Sequence, residues 1–555
     1  MSENNNSSQL MTEKEAVREW LDKLTHAEQV YQPYYELVKK TREAYRATQA
    51  QDIYGDMGTG AYNIFWSGIE TQKPFLYFKR PQPYIERINK LANPVERLAC
   101  KILERVLEWN LTQFDFDSVV KYARNDYLIS GCGLLFETYC PTFQSVSIQD
   151  DKTLDVIDKE CVETHYVDPC YFLADTDHVG VWEDVTWIAK KIFLNTHDVL
   201  QHFGQQAVDL LRLRLDGDDS RHICLYEVWD KTTRRIYWIS PSSPDAFIKV
   251  ADDPFHLTGF FPCPKPIFAT LSNDSLIPVP DYAMIRQMMN ELNGITDRMR
   301  LTLQAIKVSG VYDNAFHRLA DIFEKDVTLV SLSEFDKLKE AGGIRGVIDF
   351  VPIEQYVTAL EQLARRREDV IQRIFEITGV SDIMRGNSNA QDTATAVEKK
   401  TNFGTLRNQE RQNDMQRFIA DLYRLKAEMI CACFSAENLA QFVDNTEGYS
   451  AEMIDKAVHL LKSEKLRGML IHVESTGVVN ADKEIMKTLN CIQTITQLIK
   501  DAVPTVSAQP LLLPLYRQMI GTVVAQMPQA RVFESVLDQT FTAIQTDLSK
   551  PSENV

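Results

Sequence analysis

No glycine in this chain of 555 residues is followed by lysine, so it has no G-K-[ST] phosphate loop and no conventional ATP-driven motor. No histidine is followed by glutamate, which removes the H-E-x-x-H zinc motif, and no G-x-S-x-G nucleophile elbow occurs. Cysteine is scarce. The ten are scattered with no C-x-x-C pair, too few for a disulfide scaffold. The nearest two, Cys431 and Cys433, lie in an apolar helical stretch and read as buried free thiols, since a metal site usually brings a second ligand pair. His197 and His202 are five apart, on different faces of a helix, and make a poor metal pair. No run approaches the roughly 18 apolar residues of a membrane helix. Asn4, Asn5 and Asn6 stand where a signal peptide would turn basic and then apolar, so a cytosolic protein without membrane contact is expected. From these absences we expect no catalytic residue, no cofactor and no metal ligand set.

What is present is a globular composition, with 44% hydrophobic and 25% charged residues, in a chain long enough for several structural regions. Sixty basic residues against 78 acidic give a net charge of -18. A module built to grip DNA normally carries a basic surface, so this balance argues against one. It does not argue against a conduit.

The expected fold class is α+β and helix-rich. A solvated tail at 1–12 precedes a charged helix over 12–50 with aromatic positions at Tyr31, Tyr34, Tyr35 and Tyr45. Tyr62 to Trp66 and then Lys73 to Pro81 read as a helix followed by an extended segment. Residues 92–130 read as helix ending at Gly131, and Gly131-Cys132-Gly133, only half a dinucleotide fingerprint, reads as a tight turn into a strand. Between 132 and 250 the period shifts towards two. Gly133 to Tyr139 and Val185 to Leu194 read as strands, and 223–229 with 235–239 form a hairpin through Asp230-Lys231-Thr232-Thr233. Pro254, Pro262, Pro264, Pro266, Pro278 and Pro280 mark an irregular connector.

Beyond it the pattern is sharper. Ile285, Met288, Leu292, Ile295, Met299 and Leu303 keep a three-four spacing through a helix over 281–306. An insert at 307–352 offers short strands at 308–312, 327–332 and 347–351 and a turn at Gly342-Gly343. A second helix, 353–378, carries a stripe at Val357, Leu360, Leu363, Val370 and Ile374 and stops at Gly379. Arg367 interrupts that stripe where leucine would be expected; either its stem snorkels along the helix, or it forms an inter-subunit ion pair with Glu291 or Asp297 of a neighbour. A polar link containing Arg385, Asn387, Ser388, Asn389 and Gln391 leads to a third long helix over about 393–434, with Asp392 or Thr395 as its cap. A strand at 470–474 and helices at 483–500, 511–526 and 531–548 complete the chain.

Several phrases, in order, resemble the portal (head-to-tail connector) proteins of short-tailed bacteriophages over roughly residues 60–500. They are Glu183-Asp184-Val185-Thr186-Trp187-Ile188-Ala189-Lys190-Lys191 with Asp198-Val199-Leu200; Glu227-Val228-Trp229-Asp230-Lys231; Gly259-Phe260-Phe261-Pro262-Cys263-Pro264 with Pro280-Asp281-Tyr282 and Glu291-Leu292-Asn293; and Ile377 to Gly386 with Asp392-Thr393-Ala394-Thr395. The resemblance implies a ring, usually of twelve subunits, at a capsid vertex. Its regions would be an α/β wing at 13–280, stem helices at 281–306 and 353–378, and a clip at 307–352 between them. A tunnel loop at 379–395 would lead to a long wing helix and returning strand at 396–480, a helical crown at 481–548, and a tail at 549–555. Arg385, Asn387, Ser388, Asn389 and Gln391 would then touch double-stranded DNA in the channel. The ring would assemble in the host cytoplasm with capsid and scaffolding proteins, and dock the terminase motor and later tail or adaptor proteins. Against this stand a nucleic-acid-processing enzyme with dispersed active-site residues and a generic helical scaffold.

Overall fold

The structure is a computed structural model. It describes residues 2–54, 63–88, 93–148, 152–176, 180–211, 222–305, 310–312, 348–350, 353–380, 394–443, 449–464 and 466–473, with isolated positions besides. The chain divides into two compact units, Met1–Gly477 and Val478–Val555.

In the first unit α1 (Ser2–Tyr54) is followed by α2 (Ile64–Leu76), β1 (Pro83–Arg87), α3 (Pro94–Gln113) and α4 (Phe116–Ser130). The helix begins at Ser2 where a tail at 1–12 was expected. Once a helix is nucleated, each further Asn or Ser costs only a few tenths of a kcal/mol. The helix of α2 also continues to Leu76, through Pro74, where an extended segment was expected. Pro74 lies in the last turn, where the missing N–H removes a single bond. The expected single helix over 92–130 is two. Asp115 breaks it, its carboxylate accepting from Ser118 N at 3.4 Å as the cap of α4.

Gly131 ends α4 in the left-handed region (φ 81°), and β2 (Cys132–Gly133) follows directly, as the sequence predicts. Gly133 sits where a Cβ would fall 2.5 Å from Ala123 O and 2.8 Å from Ile267 Cγ2. Gly133→Ala should therefore lower stability by about 1–3 kcal/mol through overpacking, read as a lower urea midpoint at unchanged slope.

A long ribbon comes next, β3 (Leu135–Ile148) against β4 (Lys152–Tyr166), antiparallel with a register shift at Thr142/Phe143. Then come β5 (Phe172–Ala174), β6 (Trp187–Leu194), the short helices α5 (Thr196–Phe203) and α6 (Gln205–Leu210), β7 (Ile223–Asp230), β8 (Arg235–Ile239) and β9 (Lys249–Asp252). These five strands form one antiparallel sheet in sequence order. The expected hairpin is β7–β8, closed by Asp230, whose carboxylate accepts from Thr232 N and Thr233 Oγ1. The proline-rich connector holds only β10 (Ile267–Phe268), paired with β2.

α1 lies on the five-stranded sheet. Trp20 packs edge-on to Trp187, Lys191 pairs with Glu28, and Tyr31 and Tyr34 are buried in the shared core. α5 and α6 cover a smaller cluster around Leu225 and Val199. The larger core gathers α2, α3 and α4 with the helices that follow the connector. Those are α7 (Asp281–Ala305), α8 (Glu354–Thr378), α9 (Ala394–Cys433), α10 (Ala436–Ala440) and α11 (Ala451–Glu464). Between α7 and α8, β11 (Gly310–Tyr312) pairs with β12 (Ile348–Phe350). The last strand of the unit, β13 (Met469–Val473), pairs antiparallel with β1, Pro83 opposite Val473.

The three long helices match their sequence expectations within about one residue. Of the insert, β11, β12 and a turn at Gly342 are described, and the expected strand at 327–332 lies outside the described residues. In the second unit Leu489, Asn490, Thr494 and Lys500 are helical, as are Leu515 and Met519; the rest of the expected helices at 483–500, 511–526 and 531–548 lie outside the described residues. No helix among the described residues is long and apolar enough to cross a membrane.

Candidate functional site

The helix–insert–helix unit is the most distinctive part of the chain. α7 and α8 run antiparallel: Ile285 shares a small cavity with Ile374 and Phe375, and further along Glu291 meets Arg366. The pairing of β11 with β12 then closes the base of the insert, so the chain leaves along α7 and returns along α8.

The near end of this hairpin is firmly rooted. Arg411 of α9, buried, donates to Asp281 at 2.5 Å and to Gln72 of α2 at 2.8 Å, joining three helices at one guanidinium. Burial alone would make Arg411 easier to deprotonate, but the neighbouring Asp281 carboxylate raises its pKa above the ordinary value. At this same end α8 stops: Gly379 adopts a left-handed φ of 73°, and the N–H groups of Gly379 and Val380 both donate to Phe375 O. Asn408 of α9 donates to Gly379 O at 2.9 Å, pinning the point where the chain leaves α8.

The far half is different. On α8, Val370, Ile371, Ile374 and Phe375 are buried, and nothing before Val370 is; on α7, nothing after Ile295 is buried among the described residues. Yet the apolar stripe continues. Leu303 is 56% exposed, Val357 42% and Tyr356 41%. A hairpin of two helices cannot cover both stripes by itself.

The sequence-predicted contact residues lie on this hairpin. Glu291 accepts from Arg366 of the same chain, at 2.8 Å from Nε and 2.7 Å from Nη2. Asp297 lies 3.8 Å from Arg300. Arg367 is half-buried and borders an open groove with Met299, Arg300 and Leu303 of α7. The sequence drew attention to Arg367 as the break in the stripe and passed over Arg366, which ties the two helices. Its signal was the Arg365-Arg366-Arg367 run, where one step of helical phase decides which guanidinium reaches α7. Arg385, Asn387, Ser388, Asn389 and Gln391 lie outside the described residues.

The unit also buries charge away from the hairpin. Arg42 of α1 forks onto Asp168 (2.8 and 2.9 Å) and reaches Asp126 of α4, which also accepts from Tyr166 OH. Burial would push the Asp168 carboxyl up, but the Arg42 fork holds it below its ordinary value. Lys426 of α9 reaches the β3–β4 ribbon, with Nζ 2.9 Å from Glu137 Oε2 and 2.6 Å from Val162 O. Each of these nodes joins elements far apart in sequence, and a change in one should loosen the packing of the first unit.

No family model matches the chain, and no curated protein matches it.

Proposed function

We propose that the chain is a portal subunit: one copy in a ring, usually of twelve, through which DNA enters and leaves a phage capsid. The observation that carries this is the half-bare α7–α8 hairpin, rooted at Arg411 and offering Leu303, Tyr356 and Val357 to a surface that its own chain does not cover. Packed side by side around an axis, such hairpins would bury these side chains on their neighbours. A fully buried leucine contributes roughly 1.5–3 kcal/mol. The order of wing, stem, insert and stem, and the phrases that resemble portal proteins, support the same assignment. The insert would be the clip that docks the terminase motor during packaging and tail or adaptor proteins afterwards. Capsid and scaffolding proteins would surround the ring, which would reside at the capsid vertex.

The negative charge suits a conduit. Duplex DNA carries one charge per roughly 1.7 Å of axis, so a basic lumen would hold it and an acidic one lets it slide. The subunit itself would do no chemistry. Native mass measurement and negative-stain images of the purified chain should show closed rings; a monomer under all conditions would overturn the assignment.

Under this proposal Arg385, Asn387, Ser388, Asn389 and Gln391 line the narrowest part of the channel, where uncharged amides and hydroxyls touch phosphates through single hydrogen bonds. Deleting Asn387 to Ala390 should leave rings intact, because no buried residue of the described core is removed. Capsids built with those rings should package poorly or lose DNA, as measured by nuclease-protected DNA per particle. Normal packaging and retention would make the segment a connector and nothing more.

A further inference from the structure

The β3–β4 ribbon carries a cluster that a passive conduit does not need. Across it Phe136 stands opposite His165, Thr138 opposite Glu163 and Cys140 opposite Cys161. Opposite residues share a face, and faces alternate along a strand. Cys140, Glu163 and His165 therefore lie on one face, and Glu137, Tyr139, Glu160 and Thr164 on the other. The second set is engaged inside the protein: Glu137 with Lys426, and Glu160 with Tyr139, Ser435 and Asn438. The first set converges on a different point. Cys140 Sγ lies 3.8 Å from Glu163 Oε2, His165 Nε2 lies 3.9 Å from the same oxygen, and all three ligand atoms fall within 4.8 Å of one another.

A ring nitrogen 3.9 Å from a carboxylate oxygen is too far for a hydrogen bond. The separations come close to the edges of a zinc tetrahedron instead. Bonds of about 2.3 Å to sulfur and about 2.0–2.2 Å to nitrogen and oxygen give edges of about 3.3–3.6 Å. Closing on an ion would take shifts of only a few tenths of an ångström at the two shorter separations. The site is also reachable, the His165 side chain being 44% exposed. Charge fits as well. A thiolate and a carboxylate neutralise a dication, and the two lysines that would oppose it are already taken: Lys190 lies 3.2 Å from Glu227, and Lys426 lies 2.9 Å from Glu137. Thiolate with imidazole favours zinc-like ions over magnesium or calcium.

We propose that Cys140, Glu163 and His165 bind one zinc-class divalent cation on the ribbon, with a fourth position left to water. No metal-ligand spacing announces the set in the sequence, because the thiol and its two partners sit on different strands and only the ribbon register brings them together.

The test uses the full chain, stripped with chelator and titrated with cobalt(II). One equivalent per chain should bind and give a near-ultraviolet thiolate-to-cobalt band. Cys140→Ser should abolish the band, and Cys224→Ser should keep it. His165→Ala should weaken binding at least about 100-fold, since even outer-shell losses cost 10–100-fold. A second readout guards against misfolding: zinc should slow alkylation of Cys140, followed by peptide mass, in the parent chain but not in His165→Ala with an unchanged far-ultraviolet spectrum. The proposal is overturned if the parent chain gives no thiolate band, if the band survives Cys140→Ser, or if His165→Ala binds as tightly as the parent.

Discussion

Replacing Lys426 by methionine should lower the unfolding free energy by about 3–5 kcal/mol, the usual cost of removing one partner from a buried ion pair. Lys426 and Glu137 have side chains only 2% and 0% exposed. Glu137 also accepts from Thr164 Oγ1, at 3.0 and 3.2 Å, so its two oxygens rest on a hydroxyl and an ammonium with no access to water. Without Lys426 the carboxylate keeps only the hydroxyl, and Val162 O loses its 2.6 Å donor.

The pH dependence has a definite sign. Burial pushes the Glu137 carboxyl up from 4.5 to about 7, against the downward pull of Lys426. A carboxyl with a raised folded pKa binds more protons in the native state than in the unfolded one. This group therefore subtracts stability as the pH rises from about 4.5 to about 7, and the loss is constant above that window. The Lys426→Met defect should be larger at pH 8 than at pH 5, because at pH 5 the stranded carboxyl can be protonated. Lys426→Met combined with Glu137→Leu should recover most of the loss and flatten the profile between pH 5 and pH 8. Urea unfolding of the three chains at both pH values checks this. A single variant within 1 kcal/mol of the parent would show that the pair is not buried in solution.

If the chain forms the proposed ring, putting glutamate at both Leu303 and Val357 should abolish it while leaving each subunit folded. Both side chains are exposed in the single chain, and surface substitutions of this kind usually change stability by less than about 0.5 kcal/mol. In a ring the same positions would meet a neighbour, and each added carboxylate would be desolvated with no partner. Buried uncompensated charge costs several kcal/mol per site, repeated at every interface. Light scattering should then read monomers for the variant and the proposed rings for the parent, with urea midpoints unchanged. Intact rings with both glutamates in place would remove the hairpin from the interface.

Amphipathic helices longer than twenty residues were legible because their stripes repeat. α7, α8 and α9 could be bounded from spacing and from Gly379. The β7–β8 hairpin was legible from its β-branched and aromatic runs around a polar turn. β4 was not, because Lys152 to Glu163 is charge-rich and its pairing with β3 satisfies the backbone without an apolar signature. The break at Asp115 was hidden because the helical pattern resumes within two residues. Of the candidate site, the hairpin and the odd position of Arg367 could be read. The tie by Arg366 and the anchorage by Arg411 could not, since each depends on which of several arginines meets a carboxylate from a distant helix.

The pairing of β1 with β13 sets a schedule for synthesis. Pro83 and Val473 are partners 390 positions apart. At roughly 5–20 residues per second, β1 leaves the ribosome about 20–80 seconds before its partner exists. Through that interval one strand edge of the N-terminal body stands unpaired, the kind of surface on which nascent chains stick to one another. The larger core must therefore finish late, after α9 and α11 have been made. A chain truncated before Met469 should accumulate as aggregate rather than as a smaller folded body.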